Sequence, residues 1–230
     1  MKNMKVIVFD IGGTLMEYVG MPYSWVDYYK QGFDAVNEKY SLCATETDIE
    51  KSIEILKKYN PRVNYREVEY SPEFLFTKAT EHWKKNIDLN AFIDTFFEGF
   101  NLKAIVYPDT VITLKKLKGM DCAIAALTDL PSSMPDELFK RDIPELLDLF
   151  DLYISSQISG FRKPNATGLK MISEHFGVDI SELVFVGDEE KDRLTAVNAG
   201  CRFIQINRNE KISGSICNLE ELTVLLESSK

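Results

Sequence analysis

The stretch "DIGGT" at residues 10–14 sets a carboxylate straight after a short apolar run and follows it with two glycines and a threonine. Two other polar residues stand in the same relation to apolar runs: Thr128 closes "CAIAALT" and Asp188 follows "LVFVG". If these runs are neighbouring strands, Asp10, Thr128 and Asp188 meet at the carboxyl ends of one sheet, where open α/β sheets bind ligands. Two carboxylates and a hydroxyl are hard oxygen donors. They suit Mg²⁺, with a backbone carbonyl and retained waters completing its shell. Gly12 and Gly13 let the backbone after Asp10 turn tightly and aim N–H groups at an anion.

Convergence of this kind requires a parallel sheet, and the chain reads as one. "KVIVF" (Lys5–Phe9), "CAIAAL" (Cys122–Leu127) and "LVFVG" (Leu183–Gly187) are short continuous apolar runs, the pattern of strands buried on both faces. "LYIS" (Leu152–Ser155) and "RFIQI" (Arg202–Ile206) are further candidates. Helical patterns separate them. "PDTVITLKKLKG" places Asp109 as N-cap, sets Val111, Leu114 and Leu117 on one stripe and stops at Gly119. "NATGLKMISEHFG" sets Leu169, Ile172 and Phe176 on one face before Gly177, and "DRLTAVNAG" ends at Gly200. Strand–helix alternation predicts an α/β fold with a Rossmann-like parallel sheet.

Between the first strand and Tyr107 the pattern is helical only. "PYSWVDYYKQGFDAVNEKY" spaces Trp25, Tyr29, Phe33, Val36 and Tyr40 for a helix. "TETDIEKSIEILKKY" opens on a Thr45–Asp48 capping box, and "SPEFLFTKATEHWKK" on Ser71 as N-cap with Pro72 behind it. "NAFIDTFFEGF" supplies a fourth helix. The expected organisation is an α/β core over residues 1–16 and 106–230 and an inserted helical domain over residues 17–105.

A formal net charge of -9 argues against nucleic acid or an anionic membrane as partner, while a small anion remains open to a pocket with its own cations. Cys43, Cys122, Cys201 and Cys217 form no C-x-x-C pair, and Cys122 and Cys201 adjoin apolar runs, so buried free thiols in a reducing cytoplasm are expected. The apolar stretch of "MKNMKVIVFD" is too short for a signal peptide, and no run is long enough to span a bilayer. Oligomeric state is not legible.

In this order the motifs resemble those of the haloacid dehalogenase (HAD) superfamily of aspartate-nucleophile hydrolases. "DIGGTL" is similar to its first motif, D-x-D-G-T-[LV], except at one position, and "AIAALT" resembles the second, an apolar strand ending in Thr or Ser. "GFRKP" carries the lysine of the third at Lys163; "VFVGDEEKD" resembles the fourth, G-D-x-x-x-D, and runs on into "AVNAG". The resemblance covers Lys5 to about Ile206 and implies that the helical insertion is a C1-type cap. It implies Asp10 as the nucleophile toward phosphorus, and Mg²⁺ held by Asp10, the carbonyl of Gly12, Asp188 and Asp192, with Asp192 alternatively orienting Lys163. It also implies a phosphate cradle of Gly12, Gly13, Thr14, Thr128 and Lys163, the lysine keeping Asp10 ionised. The substrate so implied is a small phosphorylated metabolite.

One residue departs from the pattern. Most phosphatases of that superfamily carry a second aspartate two residues after the nucleophile as general acid and base, and here that position is Gly12. Such proton transfer is typically worth ~10²–10⁴-fold. One expectation is that another acid substitutes: Glu17, Glu189 or a residue of the helical insertion. Alternatively the chain is a slow phosphatase confined to good leaving groups, a phosphonatase- or dehalogenase-like C–P or C–halogen hydrolase, or a binding protein without turnover. Retention of Asp10, Lys163, Asp188 and Asp192 together favours an enzyme.

Other polar and aromatic residues read more simply. Trp25, Tyr28, Tyr29, Phe96 and Phe97 are expected as helical-domain core, and His82 and His175 as surface or packing residues remote from the motifs. Asp129 reads as a loop turn or a substrate contact, and the "TDLPSSMPDE" loop as a specificity element.

Overall fold

The computed structural model describes residues 5–22, 24–84 and 87–227. In chain order the elements are β1 (Lys5–Phe9), β2 (Met16–Tyr18), α1 (Val26–Tyr40), α2 (Glu46–Tyr59), α3 (Pro72–Ala79), α4 (Leu89–Glu98) and β3 (Ala104–Val106). There follow α5 (Thr110–Gly119), β4 (Cys122–Thr128), α6 (Asp136–Arg141), α7 (Pro144–Leu147), β5 (Leu152–Ser155), α8 (Ser156–Ser159) and α9 (Thr167–Phe176). The chain continues through β6 (Leu183–Gly187), α10 (Glu190–Ala199), β7 (Arg202–Ile206), β8 (Ser215–Ile216) and α11 (Leu219–Glu227).

The main sheet has the order β5-β4-β1-β6-β7-β8, and its neighbours are parallel throughout. Strand order therefore reverses at β1, which lies between β4 and β6, and the reversal marks the crevice where such sheets bind ligands. Val6 and Val8 of β1 are buried in one cluster with Leu169 and Ile172 of α9 and Ala196 of α10, while Ile7 and Phe9 are buried on the opposite face. Both faces are covered, as the continuous apolar run requires.

The five strands read from the sequence are present, β4 extending to Thr128; β8 and the paired β2 and β3 are two or three residues long and carry too short a pattern to read. Two helix ends differ from expectation. Asp109 stands at the N-cap of α5, but its side chain makes no cap bond, because its carboxylate is taken by Arg208 and by the N–H of Leu219. The helix also runs through Gly119, with Met120 as its C-cap and Asp121 taking the left-handed conformation. The buried stripe of α5 is Thr110, Thr113, Leu114 and Leu117, with Val111 only half-buried.

The described chain divides into two compact units: Met1–Glu17 with Ala104–Asp129 and Asp142–Lys230, and Tyr18–Lys103 with Leu130–Arg141. The segment Leu130–Arg141, expected with the core, belongs instead to the helical unit, and its Leu130, Met134 and Phe139 are buried. In that unit α2 opens on the Thr45–Asp48 capping box and α3 on the Ser71 N-cap with Pro72 behind it. Tyr29, Phe33, Phe76, Phe92 and Phe96 are fully buried, whereas Trp25 and Tyr28 are half-buried against Phe100. Cys122 is buried, Cys201 and Cys217 partly so, Cys43 exposed, and none of the four is in a disulfide. Among the described residues no helix is long and apolar enough to cross a membrane.

Phe96 is the hub of the aromatic core, its ring centroid 4.8 Å from those of both Phe33 and Phe76. Phe96→Ala is expected to cost about 3–5 kcal/mol, read as a lower denaturant midpoint at unchanged slope. A loss below about 1 kcal/mol would show that this site collapses around the truncation.

Candidate active site

β1 delivers Asp10 to the carboxyl edge of the sheet, and the N–H of Asp10 donates to the carbonyl of Val186 on β6 at 2.9 Å, fixing the backbone there. The chain then folds back on itself: the carbonyl of Ile11 accepts from the N–H groups of Leu15 (2.8 Å) and Met16 (3.1 Å). Gly13 N–H donates to Met16 O at 2.8 Å, and Thr14 N–H to Ile11 O at 3.3 Å. These two donors were expected to face an anion. The tight turn needs them to close itself, so they serve the loop instead.

The two glycines have different reasons to be there. Gly13 has φ +75, and a Cβ on it would lie 2.2 Å from Asp188 Oδ2, so backbone and space both demand glycine. At Gly12 a Cβ would meet nothing within 4 Å, and φ lies outside the left-handed region. Nothing in the fold imposes glycine at the position where the resemblance leads one to expect an acid.

Lys163, from the loop between α8 and α9, is buried with its Nζ 2.7 Å from Asp10 Oδ1 and 2.5 Å from Asp192 Oδ1. Asp192 is fully buried on the first turn of α10, and its other oxygen accepts the N–H of Glu189 at 2.9 Å. Both of its oxygens are thus engaged, in the geometry of a residue that orients Lys163. Asp188 accepts a hydrogen bond from the Thr14 hydroxyl at 3.2 Å, and its carbonyl one from Gln205 Nε2 at 3.3 Å. Ligand oxygens of Asp10, Asp188 and Asp192 all lie within 4.8 Å of one another. Thr128 is buried at the end of β4, level with Ser155 of β5.

The Asp129 side chain, 6% exposed, is taken up by the groups of the lysine loop and α10. Its Oδ1 accepts the N–H of Lys163 at 3.0 Å, while Lys191 Nζ lies 3.4 Å from Oδ2 and Arg162 Nη2 lies 4.0 Å from it. It is the anchor of the lysine's backbone, and only its place beside Thr128 hinted at this. The candidate substitute acids are both engaged: Glu17 accepts from the Tyr107 hydroxyl at 3.2 Å, and Glu189 pairs with Lys191 at 3.2 Å. His82 donates from Nε2–H to the Asp48 carbonyl oxygen at 2.9 Å in the helical unit, and His175 stands edge-on to Phe176.

Comparison with known proteins matches residues 4–200 to the family described as haloacid dehalogenase-like hydrolase. The chain belongs to this family. It is 25% identical over 218 residues to the phosphoglycolate phosphatase of Aliivibrio fischeri, covering 93% of this chain and 90% of that one. Among solved structures it is similar in fold to the HAD phosphatase from Thermococcus onnurineus (TM-score 0.62, 22% identity, 97% and 98% of the two chains). It is likewise similar to the 2-haloacid dehalogenase from Pseudomonas syringae (TM-score 0.69, 19% identity, 99% and 100%). At such identities the two structures speak for the shared HAD fold.

The HAD site holds more negative charge than its own cation balances. Asp10, Asp188 and Asp192 face one Lys163, three negative charges against one positive. Burial, reinforced by Asp192 and Asp188 against the opposing pull of Lys163, pushes the Asp10 carboxyl up to about 8. Burial, then Asp192 and Glu189, push Asp188 up to about 6. Burial lowers Lys163, but Asp10 and Asp192 outweigh it and hold the ammonium above its ordinary range. At Asp129 burial is likewise outweighed, by Lys191, Arg162 and Lys163, which hold it down at about 2.

These shifts set a pH dependence for the metal-free protein. Between the unfolded carboxylate value of 3.8 and about 8 the folded state holds protons on Asp10, and up to about 6 on Asp188, that the unfolded chain has released. The folded state binds more protons, so stability falls as pH rises through that window. In chelator, the melting temperature is expected to fall from about pH 5 to about pH 8, and Asp10→Asn to flatten the fall. A melting temperature that rises over this range, with wild type and variant parallel, would contradict the assignment.

Proposed function

We propose that this chain is a Mg²⁺-dependent phosphatase of a small phosphorylated metabolite, acting through an aspartyl-phosphate on Asp10. The observation that carries the reading is the buried Asp10 carboxylate, held by Lys163 at 2.7 Å on the sheet's switch point and clustered with Asp188. The phosphoglycolate phosphatase of Aliivibrio fischeri, similar over nearly the whole chain, supports a phosphate monoester of a small carboxylic acid as substrate.

The residues fit Mg²⁺. Their donors are hard carboxylate oxygens within 4.8 Å of one another, and a dication matches the two negative charges that Lys163 leaves over. Asp10 and Asp188, with the Gly12 carbonyl, would hold the ion, and Asp192 would stand behind as the partner of Lys163. When bound, Mg²⁺ supplies charge neutralisation that lets one anion approach another.

The chain's own groups do the rest. An Asp10 oxygen forms a bond to phosphorus as the bond to the leaving oxygen breaks in line, and water then cleaves the acyl phosphate. The Thr128 hydroxyl and the backbone N–H of Gly12 donate to the phosphoryl oxygens, and Lys163 offsets their charge. Gly12 supplies no proton to the leaving group, so leaving groups that depart without one are favoured and turnover is slow. The helical unit is proposed as the cap that excludes water and reads the rest of the substrate.

The test is hydrolysis of phosphoglycolate and of an aryl phosphate with and without Mg²⁺, with acid-quenched protein searched by mass for phosphorylated Asp10. Asp10→Asn is expected to abolish turnover, and residual activity near wild type would refute Asp10 as nucleophile. Gly12→Asp, for which the fold has space, is expected to raise the rate on phosphoglycolate by up to about 10²-fold. An unchanged rate would mean that another acid already serves. Turnover of a haloacid without Mg²⁺, and none on phosphate esters, would replace this reading by C–halogen cleavage.

A further inference from the structure

Behind the catalytic loop, a residue with no motif around it makes an unusual set of contacts. Arg208, in "NRNE" just past β7, is largely buried, its side chain 13% exposed. Its Nε and Nη2 both donate to the carbonyl oxygen of Thr14, at 2.9 and 2.6 Å. Its Nη1 donates to both oxygens of Asp109, at 3.0 and 3.1 Å, and the guanidinium lies over the Tyr107 ring at 3.9 Å. Asp109 is itself fixed by the N–H of Leu219 at the start of α11, at 2.7 Å. The next carbonyl along the loop, that of Leu15, is held by Tyr107 N–H at 3.0 Å and the Thr110 hydroxyl at 2.9 Å.

Thr14 is therefore gripped from two sides. Its carbonyl is taken by Arg208 and its hydroxyl holds Asp188 at 3.2 Å. Gly13, the residue before it, presses against the Asp188 carboxylate so closely that it has no room for a Cβ. A small rotation of the Thr14 peptide would move both contacts at once. A planar guanidinium that spans a carbonyl, a carboxylate and a ring can resist that rotation, whereas an ammonium offers one point charge without the fork.

We propose that Arg208 is a positioning residue that, through Thr14, sets the placement of Asp188 beside Asp10. This rests on the reading of Asp10 and Asp188 as the Mg²⁺ and phosphate site. A purely structural tie would lower stability alone; a positioning residue must also change how the site takes up Mg²⁺. Partners of this kind behind a metal ligand commonly matter by ~10–100-fold in metal affinity or activity.

The experiment compares wild type, Arg208→Lys and Arg208→Met by calorimetric Mg²⁺ titration, by melting temperature in chelator, and by kcat and KM on an aryl phosphate across Mg²⁺ concentrations. Arg208→Lys keeps a positive charge for Asp109 and is the variant expected to stay folded. Both variants are expected to bind Mg²⁺ at least about 10-fold more weakly, with kcat reduced and KM for the ester at saturating Mg²⁺ little changed. Lysine is expected not to restore the wild-type affinity. Variants with wild-type Mg²⁺ affinity and kcat, differing only in melting temperature, would overturn the inference while leaving the proposed function intact. A wild type that neither binds Mg²⁺ nor turns over phosphate esters would overturn the proposed function, and this inference with it.

Discussion

One ammonium group shared between two buried carboxylates is the interaction on which the site depends. Ionised groups taken out of water carry a penalty of several kcal/mol each, and only close, hydrogen-bonded opposite charge offsets it. Lys163 meets Asp10 and Asp192 at 2.7 and 2.5 Å, so a carboxylate can sit buried at the end of the central strand. Even so the balance is incomplete, and in the metal-free protein burial and the neighbouring carboxylates push Asp10 up to about 8 and Asp188 up to about 6. A dication would offset the same excess of negative charge while leaving Asp10 ionised.

Several features exist to hold that ammonium in place. Asp129 fixes the backbone of Lys163, and the first turn of α10 fixes Asp192 by the bond from Glu189 N–H. Asp129, Glu189, Arg162 and Lys191 form a charge-balanced group around the lysine loop, so its anchoring adds nothing to the excess. The loop after Asp10 is closed by its own N–H groups and by the left-handed Gly13. The sheet order brings β1, β4 and β6 side by side so that these loops face one another.

The helical unit relies on a different physics. Its interior is aromatic, with Phe33, Phe76 and Phe96 in mutual edge contact and few charges among them. Some of its buried polar groups pair within the unit, as where Asn60 donates to the Tyr29 hydroxyl and Trp83 Nε1 to Ser52. Aromatic spacing and caps were therefore enough to read its helices. The segment Leu130–Arg141 escaped that reading, because membership of a unit far along the chain leaves no local periodicity.

By itself the sequence determined the elements whose cause is local. Continuous apolar runs announced the buried strands, the Thr45 and Ser71 caps announced helix starts, and strand-end polar residues announced Asp10, Thr128 and Asp188. It also announced Lys163 and Asp192 through their likeness to a known pattern. Only the tertiary structure decided how these charges are shared. Asp109, a cap by sequence, is drawn to Arg208; Gly13 and Thr14, donors to an anion by sequence, turn their N–H groups inward. Arg208 had no readable signal, and Asp129 only its place beside Thr128, since the partners of each lie on distant segments and such bonds depend on topology. Local pattern follows from steric and hydrophobic preferences of adjacent residues, whereas pairing of buried charge is settled by whichever groups the fold brings within a few ångströms.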